Sequence, residues 1–156
     1  MRNFLLVFLM FGCIESDPLK KRRTAHNLLH ENYELWKKID LKHYSFEQKK
    51  DCFCIYPPYA GEDGWYTVEV EYTKDEVRPT IKINGDVVFD LPKGYVGVKM
   101  IEQLFDLIHD EIQEDYWNMR LQFDGIYGYP QYFYIDREEM LVDEEYSYEI
   151  RNFKVL

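Results

Sequence analysis

The chain has 156 residues and a mass of 19.0 kDa, the size of one domain. Hydrophobic residues make up 46% and charged residues 31%, a composition that excludes collagen-like, low-complexity and intrinsically disordered proteins. A formal charge of -10 argues against a nucleic-acid partner. Aromatic residues reach 17%, with 14 Tyr among them, and this excess calls for a physical explanation.

The first 13 residues have the pattern of an export signal. A basic residue at position 2 precedes an unbroken apolar run, Phe4 to Phe11, and Gly12 and Cys13 follow. The run is shorter than the roughly 20 apolar residues that a transmembrane helix needs, but it suits a secretion signal. Its end resembles a bacterial lipobox, in which a small residue precedes a lipidated cysteine, although positions 10 and 11 depart from the usual residues. We therefore expect a signal peptide over 1–12 and lipidation of Cys13, with a buried first strand or helix as the alternative.

A basic run, Lys20 to Arg23, follows this segment. Beside a lipid anchor it could contact anionic headgroups, at about 1 kcal/mol per basic residue, but a solvated tether or a helix start is equally compatible with the run. We expect 13–23 to be a lipid-anchored basic tether and 24–156 to be a single domain. After Arg23 the chain holds 14 basic and 27 acidic residues, so the predicted domain is acidic, with a net charge of -13.

The first half of the predicted domain begins with a helix and continues with two strands. From Thr24 to about Asp40, apolar residues recur at helical spacing, which predicts an amphipathic helix. His43 to Cys54 is expected to form a strand. From Tyr66 to Tyr72, apolar and polar residues alternate, the pattern of a strand with one buried and one solvated face.

The second half begins with a hairpin. Asn84 and Gly85 interrupt the segment Thr80 to Phe89, and this pair favours a type I′ turn. Val98 to Glu114 has the periodicity of an amphipathic helix. Three strands are predicted after it, at 118–123, 131–135 and 145–153. The sequence thus predicts an α+β two-layer sandwich, an antiparallel sheet with two helices on one face, in the order α-β-β-β-β-α-β-β-β.

Four short motifs stand in an order that is similar to a known family. They are Cys52-Phe53-Cys54 at the end of the first strand, Leu104-Phe105-Asp106-Leu107-Ile108 in the second helix, Gly128-Tyr129-Pro130 between strands, and Val142-Asp143-Glu144-Glu145 before the last strand. Together they resemble an uncharacterised family of bacterial secreted and lipid-anchored proteins, catalogued as a domain of unknown function, over about His43 to Phe153. The resemblance implies an envelope domain and assigns no catalytic residue. The stretch from Cys54 to Asn84 is longer here than in the family pattern, which leaves the place of the second strand in the sheet open.

Cys52 and Cys54 remain as a pair if Cys13 is lipidated. In an extended strand their Cα atoms lie roughly 6.5 to 7 Å apart, at the far limit of disulfide geometry. Pro57 and Pro58 just beyond favour a bend that would permit the bond, and an exported protein meets an oxidising environment. We expect a structural disulfide or buried thiols, with a redox or thiolate-metal role as the alternative.

The histidines give a weak metal signal. His26 and His30 lie four residues apart on one face of the predicted first helix, a spacing that can hold zinc. Asn27, however, stands where a zinc-protease helix has its catalytic Glu, so a solvated helix face is the favoured interpretation. His43 and His109 are each isolated in the sequence and are expected to be surface residues.

Acidic residues crowd the connection 136–145. Calcium could bridge several of these carboxylates, and Asp136, Asp143 and Glu144 are weak candidate ligands. The segment lacks the Asp-x-Asp-x-Asp-Gly pattern of a calcium loop, so we expect an acidic solvated loop and no bound metal.

Five aromatic residues lie within the eight residues from Tyr127 to Tyr134. Packing in the core is the favoured interpretation for them. Tyr is also enriched at recognition surfaces, because it offers a large contact area at low entropic cost. If exposed, Tyr127, Tyr129, Pro130, Tyr132 and Tyr134 would form a binding surface for protein, peptide or glycan.

No Gly-x-Ser-x-Gly, P-loop or Gly-x-Gly-x-x-Gly pattern occurs in the chain. The sequence therefore predicts a protein of the cell envelope, lipid-anchored to a membrane and facing the periplasm or the exterior. We expect it to be a binding or structural module and not an enzyme, without a cofactor, and with an envelope protein or a glycan as partner. The alternative is an extracytoplasmic enzyme, or a metal or redox protein that uses Cys52 and Cys54 or the acidic loop 136–145.

Overall fold

The computed structural model describes residues 18–52, 64–73, 80–88, 97–140 and 144–156. In chain order these form α1 (Pro18–Ile39), β1 (His43–Cys52), β2 (Trp65–Glu71), β3 (Thr80–Ile83), β4 (Asp86–Val88), α2 (Ile101–Gln113), β5 (Asn118–Phe123), β6 (Pro130–Asp136) and β7 (Tyr146–Val155). The strands form one antiparallel sheet in the order β4-β3-β2-β1-β7-β6-β5. The predicted α+β class and element order are confirmed. Within the described ranges, neither helix is long and apolar enough to cross a membrane.

The first helix begins earlier than the sequence predicted. It starts at Pro18 rather than Thr24, so the basic run up to Arg23 belongs to α1. Proline is well suited to the first turn of a helix, because its missing N–H would have no partner there. Arg22 in this run pairs with Asp115 after α2, at 2.6 Å. The predicted signal peptide 1–12 and Cys13 lie outside the described residues.

The second strand lies between β1 and β3, which settles its place in the sheet. β1 and β2 pair in a register that sets His43 opposite Glu71. In both strands buried side chains alternate with more exposed ones, as the predicted pattern for β2 requires. Asn84 and Gly85 have φ values of 52° and 91°, which confirms the turn that joins β3 to β4.

Both helices pack on one face of the sheet, which we call the inner face. Ile101, Leu104, Phe105, Ile108 and Ile112 of α2 are buried in the core. The start of α2 is held by a buried side chain of β1. The Gln48 amide donates to the Lys99 carbonyl at 3.0 Å and accepts from the Lys99 N–H at 2.8 Å. This reciprocal pair satisfies a polar group that is only 1% exposed.

A β-bulge in β7 turns an additional aromatic ring into the core. The pairing with β1 shifts between Ser45 and Glu47, and Asn152 at the shift has a φ of 53°. One extra residue in a strand reverses the alternation beyond it. Phe153 consequently lies on the inner face with Tyr148 and Ile150, although an uninterrupted strand would place it on the other face.

Phe153 is the centre of an aromatic cluster that joins α1, the sheet and the β5–β6 turn. Its ring lies 6.0 Å from Trp36, 5.7 Å from Tyr44, 5.2 Å from Tyr127 and 4.5 Å from Tyr129, measured between ring centroids. Further aromatic side chains in the core are Phe46, Tyr66, Phe105, Phe133 and Tyr148. Much of the aromatic excess therefore serves core packing, the interpretation favoured from the sequence.

Candidate functional site

The outer face of the sheet, opposite the helices, carries aromatic and charged side chains side by side. In β6 the buried Phe133 and Ile135 alternate with the partly buried Tyr132 and Tyr134, which lie on the outer face. Trp65 at the start of β2 lies on the same face by the alternation of that strand. Pairing through β1 and β7 brings these strands into one surface.

Several charges on this outer face pair with one another. Arg151 donates from Nε to Glu47 Oε2 at 2.6 Å, and its guanidinium carbon lies 3.7 Å from the centre of the Trp65 ring. Lys49 Nζ lies 3.1 Å from an oxygen of Asp51. These pairs give Glu47, Lys49, Asp51 and Arg151 partners within the chain.

The predicted aromatic binding surface is divided by the fold. Tyr129 is only 5% exposed and stacks on Phe153, and Pro130 is buried as well. Tyr127 is partly buried against the same ring. Tyr132 and Tyr134 remain on the outer face. Tyr127, Tyr129 and Pro130 therefore belong to the core side, and two of the five predicted residues are placed to meet a ligand.

A histidine and two carboxylates meet where β1 begins and β2 ends. Ligand atoms of His43, Glu69 and Glu71 lie within 4.8 Å of one another. The position is already occupied by an ammonium group, because Lys82 Nζ lies 2.7 Å from the same Glu69 oxygen that contacts His43 Nε2 at 2.9 Å. Lys82, and then His43, hold the pKa of the Glu69 carboxyl below its usual value. A cation would have to displace Lys82.

On the inner face of the sheet, beside the start of β1 and the end of β2, a carboxylate lies in an aromatic pocket. Glu102 of α2 accepts hydrogen bonds from Trp36 Nε1 at 3.0 Å and from the Tyr44 hydroxyl at 3.2 Å. The cavity beside it has a volume of about 180 Å³ and is also lined by Tyr72. Burial, with the nearby Glu102 charge, raises the pKa of Tyr72 to about 12. The cavity is smaller than the roughly 300 to 1,000 Å³ typical of ligand pockets, and its carboxylate is occupied by structural donors.

A second carboxylate of α2 is buried against the sheet. Glu111 is 6% exposed and accepts two hydrogen bonds from Arg137 at 2.8 Å and one from the Tyr146 hydroxyl at 2.6 Å. Burial and the Glu111 carboxylate raise the pKa of Tyr146 above its usual value. This network ties α2 to β7 and leaves the carboxylate with three donors, which is the arrangement of a structural ion pair.

Three of the four histidines of the chain line one groove between α1 and α2. His26 and His30 come from α1, and His109 comes from α2 together with Asp106. His109 is isolated in the sequence, because its neighbours in the groove belong to a helix about 80 residues earlier in the chain. The spacing of His26 and His30 is the sequence signal for this groove, and it identifies the two histidines of α1.

The remaining predicted site residues are less informative. Cys52 is disulfide-bonded, while Cys54 and Cys13 lie outside the described residues, so the pairing with Cys54 stays a prediction. Asp136 ends β6 and Glu144 is exposed, and among the described residues neither belongs to a cluster of metal-ligating groups. Asp143 lies outside the described residues.

Comparison with known proteins places the chain in a family without a known activity. A family model described as "Family of unknown function (DUF6174)" matches residues 28–155. The match covers most of the chain, so the protein belongs to this family. No curated protein and no solved structure matches it.

Proposed function

With membership of this family as the premise, we propose that the chain is an exported, lipid-anchored envelope protein that acts as a binding module and not as an enzyme. The observation that carries the binding role is the outer face of the sheet. The two helices cover the inner face. On the outer face Trp65 lies against the Arg151–Glu47 pair, Tyr134 lies beside Arg120, and Tyr132 is on the same strand as Tyr134. We propose a neutral glycan of the cell envelope as the ligand.

The chemistry of the outer face supports a glycan over a charged partner. Sugar rings present apolar C–H faces that stack on aromatic rings, and their hydroxyl groups both donate and accept hydrogen bonds. Carboxylates such as Glu47 and cations such as Arg151 can therefore contact a sugar without losing their own ion pair. The net charge of -13 after Arg23 repels polyanionic glycans and nucleic acids at long range.

Among the described residues, the two enclosed carboxylates of α2 are engaged in structural hydrogen bonds, which supports the non-enzymatic part of the proposal. Glu102 and Glu111 of α2 lie in enclosed positions, and both already accept hydrogen bonds from Trp, Tyr or Arg side chains. A catalytic acid or base needs an open position toward a substrate. These two carboxylates are engaged in holding α2 to α1 and to the sheet.

The binding proposal is tested by co-sedimentation with insoluble cell-wall glycan and by titration with soluble fragments of it. Tyr132→Ala with Tyr134→Ala should weaken binding roughly thirtyfold, since truncating central aromatic contacts costs about 2 kcal/mol. Trp117→Ala is the matched control, because Trp117 is 54% exposed but directly precedes β5 and is not one of the outer-face aromatic residues Trp65, Tyr132 and Tyr134. Equal binding by the double variant and the wild-type chain would contradict the proposal. If the chain binds an envelope protein and no glycan, the glycan proposal is wrong and the ligand is a protein.

The anchoring part is tested separately. The sequence Phe4 to Cys13 supports it, and Cys13→Ala should move the protein from the membrane fraction to the soluble fraction of cells. Mass spectrometry of the wild-type protein should show an acylated Cys13 at the N-terminus. An unmodified N-terminus, together with unchanged fractionation of the variant, would refute the anchor and leave the glycan proposal standing.

A further inference from the structure

We propose that the groove between α1 and α2 is a binding site for a divalent transition-metal ion, with Zn²⁺ the best fit. His26, His30 and His109 supply imidazole nitrogens, and Asp106 supplies a carboxylate. Three nitrogens and one oxygen are a donor set that zinc binds in proteins in tetrahedral geometry. The groove lies on the opposite side of the sheet from the proposed glycan surface.

The two helices bring four possible ligands to one groove, although no three of their ligand atoms lie within 4.8 Å of one another as those of His43, Glu69 and Glu71 do. Residues four apart on a helix have their Cβ atoms about 5 to 6 Å apart on the same face, and this relation holds for His26 and His30. Asp106 and His109 are related in the same way at a spacing of three on α2. The groove between them has a volume of about 170 Å³, which is enough for an ion and bound water.

The measured distance between two rings across the groove is close to that of a bound pair. The ring centroids of His26 and His109 lie 6.1 Å apart. Zn–N bonds of about 2.0 to 2.1 Å place the ring centres of two imidazoles on one tetrahedral ion about 5 Å apart. His26 and His109 are exposed, so rotation of their side chains can close the remaining distance of about 1 Å, and the exposed His30 and Asp106 would have to rotate toward the same ion.

The surroundings of the groove favour metal binding over the cluster at His43. Its floor is apolar, since Leu29 is buried and the rings of Tyr33 and Phe105 are 5.0 Å apart. The described residues that line it include one carboxylate and no lysine or arginine, whereas Lys82 already occupies Glu69 beside His43. A metal ion in the groove would link α1 to α2 directly.

The experiment measures thermal unfolding of the full chain, purified without a polyhistidine tag, in EDTA and with added Zn²⁺. An ion that binds only the folded chain raises Tm, by at least about 5 °C when its concentration is 100-fold above Kd. Co²⁺ should give the visible absorption of a tetrahedral site with one equivalent bound. Ca²⁺ and Mg²⁺ should leave Tm unchanged, because they prefer sets of oxygen ligands.

Single variants identify the ligands. His26→Asn, His30→Asn and His109→Asn should each weaken Zn²⁺ binding by more than about tenfold. Replacing a residue that only hydrogen-bonds to a metal ligand already costs about tenfold, and replacing the ligand itself should cost more. His43→Asn is the matched control, since it removes the one histidine outside the groove. Equal Tm values of all four variants in EDTA would show that each is folded.

Three outcomes would overturn the proposal. One is the absence of any Zn²⁺ shift in the wild-type chain. Another is a shift that survives in the groove variants, and the third is a shift that is lost in His43→Asn, which would assign the ion to the cluster with Glu69 and Glu71. The proposed site is supported if the Zn²⁺-dependent rise in Tm is lost in the three groove variants and retained in His43→Asn.

Discussion

Gly128 couples the turn between β5 and β6 to the backbone of α1, and replacing it with alanine tests the packing of the two layers. Its φ is +77°, and a Cβ atom added there would lie 2.6 Å from the carbonyl oxygen of Asn32 and 3.1 Å from Leu35 Cβ. The conformation of the turn is constrained by Asp124, which accepts hydrogen bonds from the N–H groups of Ile126 and Tyr127 at 2.9 and 2.7 Å. Neither the turn nor the helix can yield easily.

Two contributions add up in Gly128→Ala. A left-handed backbone conformation costs a residue with a Cβ about 1 to 2 kcal/mol, and overpacking against a rigid neighbour costs about 1 to 3 kcal/mol more. The free energy of unfolding should therefore fall by about 2 to 5 kcal/mol. With a urea m-value of about 2 kcal/mol/M, the midpoint of unfolding shifts by about 1 to 2.5 M. Circular dichroism during urea titration measures this shift.

Gly125→Ala in the same turn is the control. A Cβ atom added there meets nothing within 4 Å and the φ is not in the left-handed region, so the change should stay within about 1 kcal/mol. Gly128→Asn separates the two contributions, because Asn tolerates positive φ but keeps the contact with Asn32. If Gly128→Ala unfolds at the same urea concentration as the wild-type chain, the turn does not pack against Asn32 and Leu35 of α1 as described.

Three further predictions concern the inner face. Burial raises the pKa of Tyr72 to about 12, from the usual 10. Because the fold favours the neutral hydroxyl, the stability contributed by Tyr72 should be complete below pH 10 and should fall as the pH rises toward 12. Urea midpoints from pH 8 to 11.5 measure this fall, and Tyr72→Phe should make the midpoint depend less steeply on pH. Phe153→Ala should cost about 3 kcal/mol in urea unfolding, as expected for a ring removed from an aromatic cluster, and a loss below 1 kcal/mol would contradict the described packing. Tyr146→Phe should cost about 1 to 3 kcal/mol, because Glu111 loses one donor of a charged hydrogen bond, while Tyr134→Phe on the outer face should cost almost nothing.

The sequence predicted the elements well where periodicity was long and unbroken. The alternation in β2, the Asn84-Gly85 turn and the apolar stripe of α2 are local patterns, and the structure has all three close to their predicted places. The same alternation, applied to β6, would have separated Tyr132 and Tyr134 from the buried Phe133. That separation divides the predicted aromatic surface, so part of this correction was available from the sequence.

Other features depend on contacts that no local pattern reports. The bulge at Asn152 decides that Phe153 enters the core, and Phe153 in turn covers Tyr129. The meeting of His26 with His109 depends on how α1 lies against α2. Both are long-range outcomes of packing, and for this reason the histidine groove is seen only in the tertiary structure.

The two proposed sites should act independently, because the sheet lies between them. The groove at His109 is formed by the helices on the inner face, and Tyr132 and Tyr134 lie on the outer face. Coupling between two sites requires a shared element with two states that each ligand biases differently, and it is reciprocal by linkage. Saturating Zn²⁺ should therefore leave the affinity for glycan unchanged within about twofold, and glycan should leave the affinity for Zn²⁺ unchanged to the same degree. Isothermal titration in the presence and absence of the other ligand measures both, and a larger change in either direction would show that the sheet transmits a conformational difference between its faces.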